Sequence, residues 1–596
     1  MKKRFIIYAL LLSSMLGACK QDFLDTDPAT EFSENTVWTD PALVGTFINQ
    51  IYFRLDEPLT DGRMKANIVD EGHYRGNAAA LNFNKSLMTP DQLYGWTVSR
   101  YRSWADVYKT IRFCNIFFSK IEEVPFTTEL VDGKSTKDRM MGEVHFLRAY
   151  MYHNLISVYG GVPLITEVYG LEDEFEKERS SYADCVDFIV SELDKAAALL
   201  PLKHSGVNQG RATKGAALAL KARVLLYAAS DLTNTTVFPT YEKQELIRYT
   251  SGDRKARWTA AKDAAKAVID LGEYSLYKAT PAAGDNIPQN LSEIFINKST
   301  SEDIFIKYFT TAMGQRFGLY TSPNGYHGWG TNAPIGDMID AYEMKDGTAF
   351  SWSNPAQAAD PYVNRDPRFY ATILFNGADW RIRPDDAKGL DPLNKIQTGR
   401  WERWNNTTGK MEVVYGVDTR KSTIEDWNGS YTGYYLRKYI DPNNDAQYVR
   451  QSISWRFIRY AEVLLNYAEA CIELGLDQEA KTYMNMIRKR AGMPDITETG
   501  LALKNKYRNE RRVELAFEEH RFFDVRRWLI GPQTYNITTK VADIVYPMNA
   551  DHSTATKPIV KHVNFEKYAW NDKAYFLPIL RDELNKNSLL IQNPNY

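Results

Sequence analysis

Two blocks of helical periodicity, separated by a long stretch without any, restrict what this chain can fold into more than any other feature. From Glu143 to Tyr159, the residues Val144, Leu147, Met151, Leu155 and Val158 recur at steps of three and four and form one apolar stripe. Gly160, Gly161 and Pro163 then stop the helix. The stretch Ala212 to Ser230 carries Ala216, Ala217, Ala219 and Ala222, whose small side chains let a neighbouring helix come close. Its expected partner is Trp258 to Leu271, where Trp258, Ala261, Ala265 and Val268 share a face. Asp231 to Arg257, between them, is too long for a tight turn and reads as an insertion with its own loop. Near the C-terminus Ile458, Ala461, Leu465, Ala468 and Ile472 make another stripe, ended by Gly475. Asp477 is expected to cap a following helix whose Ala480, Met484, Ile487 and Ala491 face one way before Gly492 and Pro494. Such pairs stack into helical solenoids, although the tetratricopeptide period of about 34 residues is kept only approximately.

Between Tyr277 and Ile453 the pattern changes. Gly, Pro, Asn, Asp and Trp punctuate every few residues, as in the run from Ser322 to Gly330, and short β-like runs (Met411 to Tyr415, Tyr434 to Tyr439) are flanked by turn residues. The expectation is a mainly α fold in which tetratricopeptide-like helix pairs support a loop-rich face with short β-hairpins. Aromatic residues make up 13 % of the chain, and many fall in these loops, where no helix core uses them. Aromatics on loops point to recognition.

The N-terminus suggests an address. Lys2, Lys3 and Arg4 precede an apolar run from Phe5 to Leu16 that closes on Leu16-Gly17-Ala18-Cys19, the layout of a secretory signal whose removal leaves a cysteine first. This layout resembles the lipobox of bacterial lipoproteins, in which the cysteine sulfur is acylated and the chain is anchored without a spanning helix. The alternative is an ordinary secretory signal with Cys19 beside the cut. The apolar run is shorter than the ~20 residues a bilayer crossing needs. The formal net charge of −2 argues against nucleic acid as a partner, since that needs a concentrated basic face. Cys114, Cys185 and Cys471, an odd number in different helical patterns, imply no disulfide framework.

No catalytic or metal constellation emerges. There is no Gly-x-Ser-x-Gly, His-Glu-x-x-His or Cys-x-x-Cys, and Gly133-Lys134-Ser135 lacks the earlier glycine of a phosphate loop, having Thr128 there. Asp70-Glu71, Asp385-Asp386 and Glu518-Glu519 are the local carboxylate pairs, but adjacent side chains diverge and do not flank one glycosidic bond. No cofactor, no metal and no catalytic residue is expected. The charge cluster Arg508 to Arg527 reads as an ion-pair lattice because its signs balance, with Glu518–Arg521 and Asp524–Arg527 as pairs three apart.

Several segments together resemble one family, the SusD/RagB outer-membrane lipoproteins of Bacteroidetes. They are Trp104 to Ile111 with Asn115, Phe146 to Tyr150 running on to Tyr159-Gly160-Gly161-Val162-Pro163-Leu164, and Arg459 to Leu465 with Tyr467 to Ala470. Further on come Ile487 to Gly492, Glu510 to Glu518 with Arg521 to Asp524, and Pro578-Ile579 leading through Arg581 to Leu584 to the terminal Gln592 to Tyr596. The resemblance implies a signal peptide over 1–18 and a single SusD-like domain over 19–596. Within it the helical scaffold lies mainly in 100–275 and 455–530, and the loop-rich binding region mainly in 70–100 and 277–453. It also implies a surface lipoprotein, lipidated at Cys19, that captures oligo- or polysaccharide and delivers it to a SusC-like TonB-dependent outer-membrane transporter. Catalysis is not implied.

Sugar rings pack their C–H patches on indole and phenol faces, and their hydroxyls need planar donors and acceptors at the edge. Two segments mix these residue types outside regular helices: Asp70 to Arg100, with Asp70, His73, Tyr74, Arg75, Asn77, Trp96 and Arg100, and Tyr320 to Asn332, with Asn324, Tyr326, His327, Trp329 and Asn332. In the resembling family ligand contacts come from these regions, which transfers most directly to Trp96 and Trp329. Trp380 joins the candidates; Trp352, Trp401, Trp404, Trp427 and Tyr431 form a second tier. For each single tryptophan the competing reading is a loop anchor packed on the helices, and for Trp104, in a helical pattern, packing is the expectation. Two rival functions remain: a surface scaffold or adhesion protein that holds a protein or peptide partner, and a hydrolase.

Overall fold

A computed structural model describes residues 34–55, 57–75, 78–93, 103–170, 172–445 and 447–596. Cys19 and Trp96, with Asn77 and Arg100, lie outside the described residues. Helix accounts for 42 % of the fold and strand for 12 %, so the class is mainly α, as expected.

The long helices are α1 (Pro41–Phe53), α2 (Trp104–Lys120), α3 (Thr136–Tyr159), α4 (Tyr182–Leu199), α5 (Lys214–Ala229), α6 (Arg254–Asp270), α7 (Tyr460–Glu473), α8 (Asp477–Arg490) and α9 (Gly500–Glu514). Their starts are written locally. Ser103, Ser135 and Ser181 each accept a backbone N–H three residues on, from Asp106, Asp138 and Asp184; Thr213 and Asp253 do the same for α5 and α6. Each such cap stabilises its helix by about 1 kcal/mol. The end of α3 needs two glycines for different reasons. Gly160 has φ 77°, and a Cβ on Gly161 would lie 2.1 Å from the Ser180 carbonyl oxygen.

From α2 to α8 the helices pack in one row, each against the next in sequence order. The row is unbroken at α6 to α7, although the whole loop-rich stretch is inserted there. The helix-pair expectation therefore holds and extends further than the sequence pattern reached. One local expectation fails: Asp477 is the first residue of α8 and not its cap, and its Oδ2 accepts the Gly500 N–H instead.

A buried ionic lattice joins the scaffold to the inserted segment. The Glu514 carboxylate on α9 accepts from Arg459, from Arg490 on α8 and from Arg368, while Arg459 and Arg490 also hold Glu302. Asp524 pairs with Arg527 as expected. Glu518 does not pair with Arg521; it is taken by Arg459 and Lys438, and Arg521 reaches Asp70 across the fold. Cys114, Cys185 and Cys471 are free thiols in the interior.

The strands are short except in one sheet. They include β1 (Gly72–Tyr74), β2 (Asn332–Pro334), β3 (Arg400–Asn405), β4 (Lys410–Tyr415), β5 (Thr538–Tyr546) and β6 (Ile559–Lys567). The last four form a sheet in the order β6-β5-β3-β4, antiparallel except for the parallel β5–β3 contact. The β5–β6 hairpin is the largest β element, and the turn-punctuated middle of the chain alone did not reveal it. β1 and β2 pair antiparallel with His73 opposite Ala333, which brings the two candidate binding segments side by side.

Candidate functional site

β1 runs on one residue past Tyr74, since the Arg75 N–H donates to the Thr331 carbonyl at 3.1 Å. This sets the Arg75 guanidinium against two loops at once. Its Nε donates to the Trp329 carbonyl at 2.5 Å and its Nη1 to the Trp427 carbonyl at 2.9 Å. One planar fork thus fixes the main chain at two tryptophans that are remote in sequence.

The first loop is held by its own backbone. Trp329 N–H bonds Leu319 O and Thr331 N–H bonds Tyr320 O, both at 2.8 Å, while His327 takes a left-handed φ of 59°. The Trp329 ring tilts against Tyr320 with centroids 5.2 Å apart, and Gly62 lies so close under Tyr320 that a Cβ would meet its ring at 2.5 Å. The second loop is tied to the first by the Asn324 amide, which donates to the carbonyls of Val417, Thr419 and Ile424 and accepts from the Tyr435 hydroxyl. His327 adds a side-chain tie to Glu425 at 3.0 Å and touches Asp386 at 3.2 Å. Arg420 donates from Nη1 to the carbonyls of Trp427 and Gly429, and its guanidinium lies 3.9 Å above the Tyr431 ring.

Three large aromatic side chains stay open to solvent on these loops: Trp427 at 62 %, Tyr431 at 40 % and Trp329 at 39 % exposure. His73 flanks them, edge-on to Tyr431 at 5.4 Å and to Phe565 at 5.1 Å, with its Nδ1 3.3 Å from Glu566. The result is a surface platform of ring faces edged by guanidinium, imidazole and carboxylate groups. Burial and the neighbouring Arg420 charge both lower the pKa of Arg75. Cavities of about 260 and 600 Å³ lie elsewhere, against α2.

Three expected contact residues are interior and are corrected here. Tyr326 is only 1 % exposed; the guanidiniums of Arg383 and Arg381 lie over its ring at 4.1 and 5.3 Å, and its hydroxyl donates to the Arg381 carbonyl. Asn332, also 1 % exposed, spends its amide on Gly62 O and Thr321 Oγ1 and accepts from Asn67. Asp70 is buried between Arg512 and Arg521; burial alone would raise its carboxyl, but the two guanidiniums hold it at about 2. None of the three offers a free group to a ligand.

Trp380 is half-buried, packed on Tyr326, Leu374, Ile396 and Tyr435 with the Arg437 guanidinium 5.6 Å over its ring, so it serves as a loop anchor beneath these residues. Trp352 donates to Asp340, Trp401 stacks on Tyr546 and Trp404 on His552. Trp104 is core, as expected. Trp329, Arg75 and His73 thus meet the second-tier residues Trp427 and Tyr431. Arg420 and Phe565 were missed. The segment from Glu425 to Tyr431 has the same mix of aromatic and turn residues as Tyr320 to Asn332, and that was the signal for promoting it.

Five of the six carboxylates in the adjacent pairs are engaged, Asp70 by Arg512 and Arg521, while Glu71 is buried with an unbonded Oε1. Asp385 bonds Lys388, Asp386 faces His327, Glu518 bonds Arg459 and Lys438, and Glu519 bonds Lys65. Among the described residues no group of three or more His, Cys, Asp or Glu is placed to hold a metal ion, and no helix is long and apolar enough to cross a membrane.

Comparison with known proteins agrees with this architecture. The family model described as "SusD family" matches residues 297–596, and one described as "Starch-binding associating with outer membrane" matches residues 22–226. SusD-like protein P2 of Formosa agariphila is 31 % identical over 620 aligned residues, covering 100 % of both chains. Among solved structures, a SusD-like protein from Bacteroides fragilis is 30 % identical with a TM-score of 0.71, covering 96 % of this chain and 100 % of that one. A SusD-like carbohydrate binding protein from the same species is 26 % identical with a TM-score of 0.69, covering 93 % and 100 %. With half of its length matched by the family model and a full-length relative at this identity, the chain belongs to the SusD family.

Proposed function

We propose that this protein is a non-catalytic glycan-binding lipoprotein that captures oligo- or polysaccharide outside the cell and delivers it to a SusC-like TonB-dependent transporter. The observation that carries the reading is the platform: three exposed aromatic side chains on two loops locked together by Arg75, with hydrogen-bonding groups at their rim. The carbohydrate-binding relative in Bacteroides fragilis and the outer-membrane description of the second family model support it. On this reading residues 1–18 are a signal peptide, the acylated Cys19 holds the single mature domain at the outer membrane facing outward, and Trp96 contacts glycan. Calorimetry of the intact mature protein against a broad polysaccharide panel tests the claim. Binding that collapses in Trp329→Ala and Trp427→Ala is the expected result; release of reducing ends, or a peptide ligand with no glycan bound, would overturn it.

One observation favours the reading as a protein-holding scaffold. Met411, Val413, Ile559 and Val563 are exposed on one face of the four-stranded sheet, in two pairs on its outer strands with the Arg400–Asp543 ion pair between them, a mixed apolar and charged surface suited to a protein partner. That reading predicts a partner that co-purifies with the protein and is released by Val413→Lys, together with indifference to sugars.

A further inference from the structure

The platform carries more positive charge than its aromatic faces require. Arg75 and Arg420 both donate from Nη1 to one acceptor, the Trp427 carbonyl, at 2.9 and 3.0 Å. Two cations sharing a single carbonyl oxygen are held within a few ångström of each other and repel. Neither has a carboxylate within ion-pair distance among the described residues. The nearby carboxylates are used otherwise: Glu425 by His327 and the Asn428 amide, Asp426 by the Trp427 N–H, Glu566 by His73. The remaining donors, Nη2 of Arg75 with Nε and Nη2 of Arg420, have no protein partner among the described residues. Holding two like charges together costs stability, and an anion bridging them would reverse that cost.

Resting on the glycan-binding reading above, we propose that the platform selects anionic glycans, with the Arg75–Arg420 pair taking a carboxylate or sulfate ester while Trp427, Tyr431 and Trp329 carry the sugar rings. The fork of a guanidinium matches the paired oxygens of either group. Tyr431, stacked beneath Arg420, presents that fork at the level of the ring faces.

The test uses matched pairs that differ only in charge: polygalacturonate with its methyl ester, alginate with its carboxyl-reduced form, κ-carrageenan and chondroitin sulfate with their desulfated forms. Calorimetry at 50 and 500 mM NaCl reads both affinity and salt dependence. At least one charged member is expected to bind about tenfold or more tighter than its neutral partner and to weaken severalfold in high salt. Arg420→Gln is expected to abolish that preference, read as the ratio of charged to neutral affinity within the same variant, with the thermal midpoint as the folding control. Because the salt response of the unmodified protein is read independently, a variant that fails to fold leaves the test intact. Uronate pairs against sulfate pairs identify the source of the charge. If the tightest ligand is neutral and insensitive to salt, the inference falls and the glycan-binding reading stands; if neither charged nor neutral members bind, both fall.

Discussion

The Nε of Arg75 donates to the carbonyl oxygen of Trp329 at 2.5 Å, and the same guanidinium reaches the carbonyl of Trp427. Through this one side chain a residue after β1 sets the spacing of two exposed indoles that lie 98 positions apart in sequence. Arg75→Lys leaves a single point donor in place of the fork. Amide exchange in 327–331 and 425–431 is expected to quicken severalfold by mass spectrometry. The melting temperature should fall by only a few degrees, because a loss of about 1 kcal/mol moves a chain of this size little.

The platform aromatics contribute unequally according to their exposure. Trp427→Ala and Trp329→Ala are each expected to weaken glycan binding about tenfold or more, the scale of a central aromatic contact. Trp380→Ala is expected to leave affinity within about twofold while lowering the melting temperature. Calorimetry beside thermal scanning separates the two effects.

Tyr326 provides a control for burial. Tyr326→Phe keeps the ring against Arg381 and Arg383 and removes only the bond to the Arg381 carbonyl, so it should cost about 1 kcal/mol of stability and leave glycan affinity unchanged. Tyr326→Ala, which empties the site, should cost about 3–5 kcal/mol in denaturant titration.

Glu71 makes stability pH-dependent. Burial first, then the Asp70 charge, pushes its carboxyl up to about 8, and its Oε1 has no hydrogen-bond partner. A group raised in the folded state contributes its full stabilisation below its unfolded pKa and loses it as pH rises through the folded value. Stability should therefore decline between about pH 4.5 and 8, and Glu71→Gln should flatten that decline in melting curves taken across the range.

Glu514 ties α9 to Arg459, to α8 and to Arg368. Glu514→Gln leaves three buried guanidiniums short of a counter-charge. It is expected to destabilise by about 3–5 kcal/mol in urea titration. Glu514→Asp, which keeps the charge, should recover part of the loss.

The scaffold was legible in the sequence because helix formation is written locally. The stripe of Val144, Leu147, Met151, Leu155 and Val158 depends on neighbours three or four residues away, and so do the caps at Ser103, Ser135 and Ser181, which only the structure revealed. The ionic lattice was legible only as a class. Balanced charges between Arg508 and Arg527 indicated pairing, but Glu518 chose Arg459 and Lys438, and Arg521 chose Asp70, because burial brings remote charges nearer than the next turn of the same helix.

From the sequence alone follow the mainly helical class, the helix pairs and the family resemblance, all carried by short-range periodicity and motifs. Which loop aromatics face solvent was decided by the tertiary structure. Tyr326 and Trp329 stand three residues apart in one turn-rich loop, yet Arg381 and Arg383 bury the first, while Arg75 secures the second by its backbone and leaves its indole open. Those arginines come from distant segments, and only the packed fold brings them to the loop.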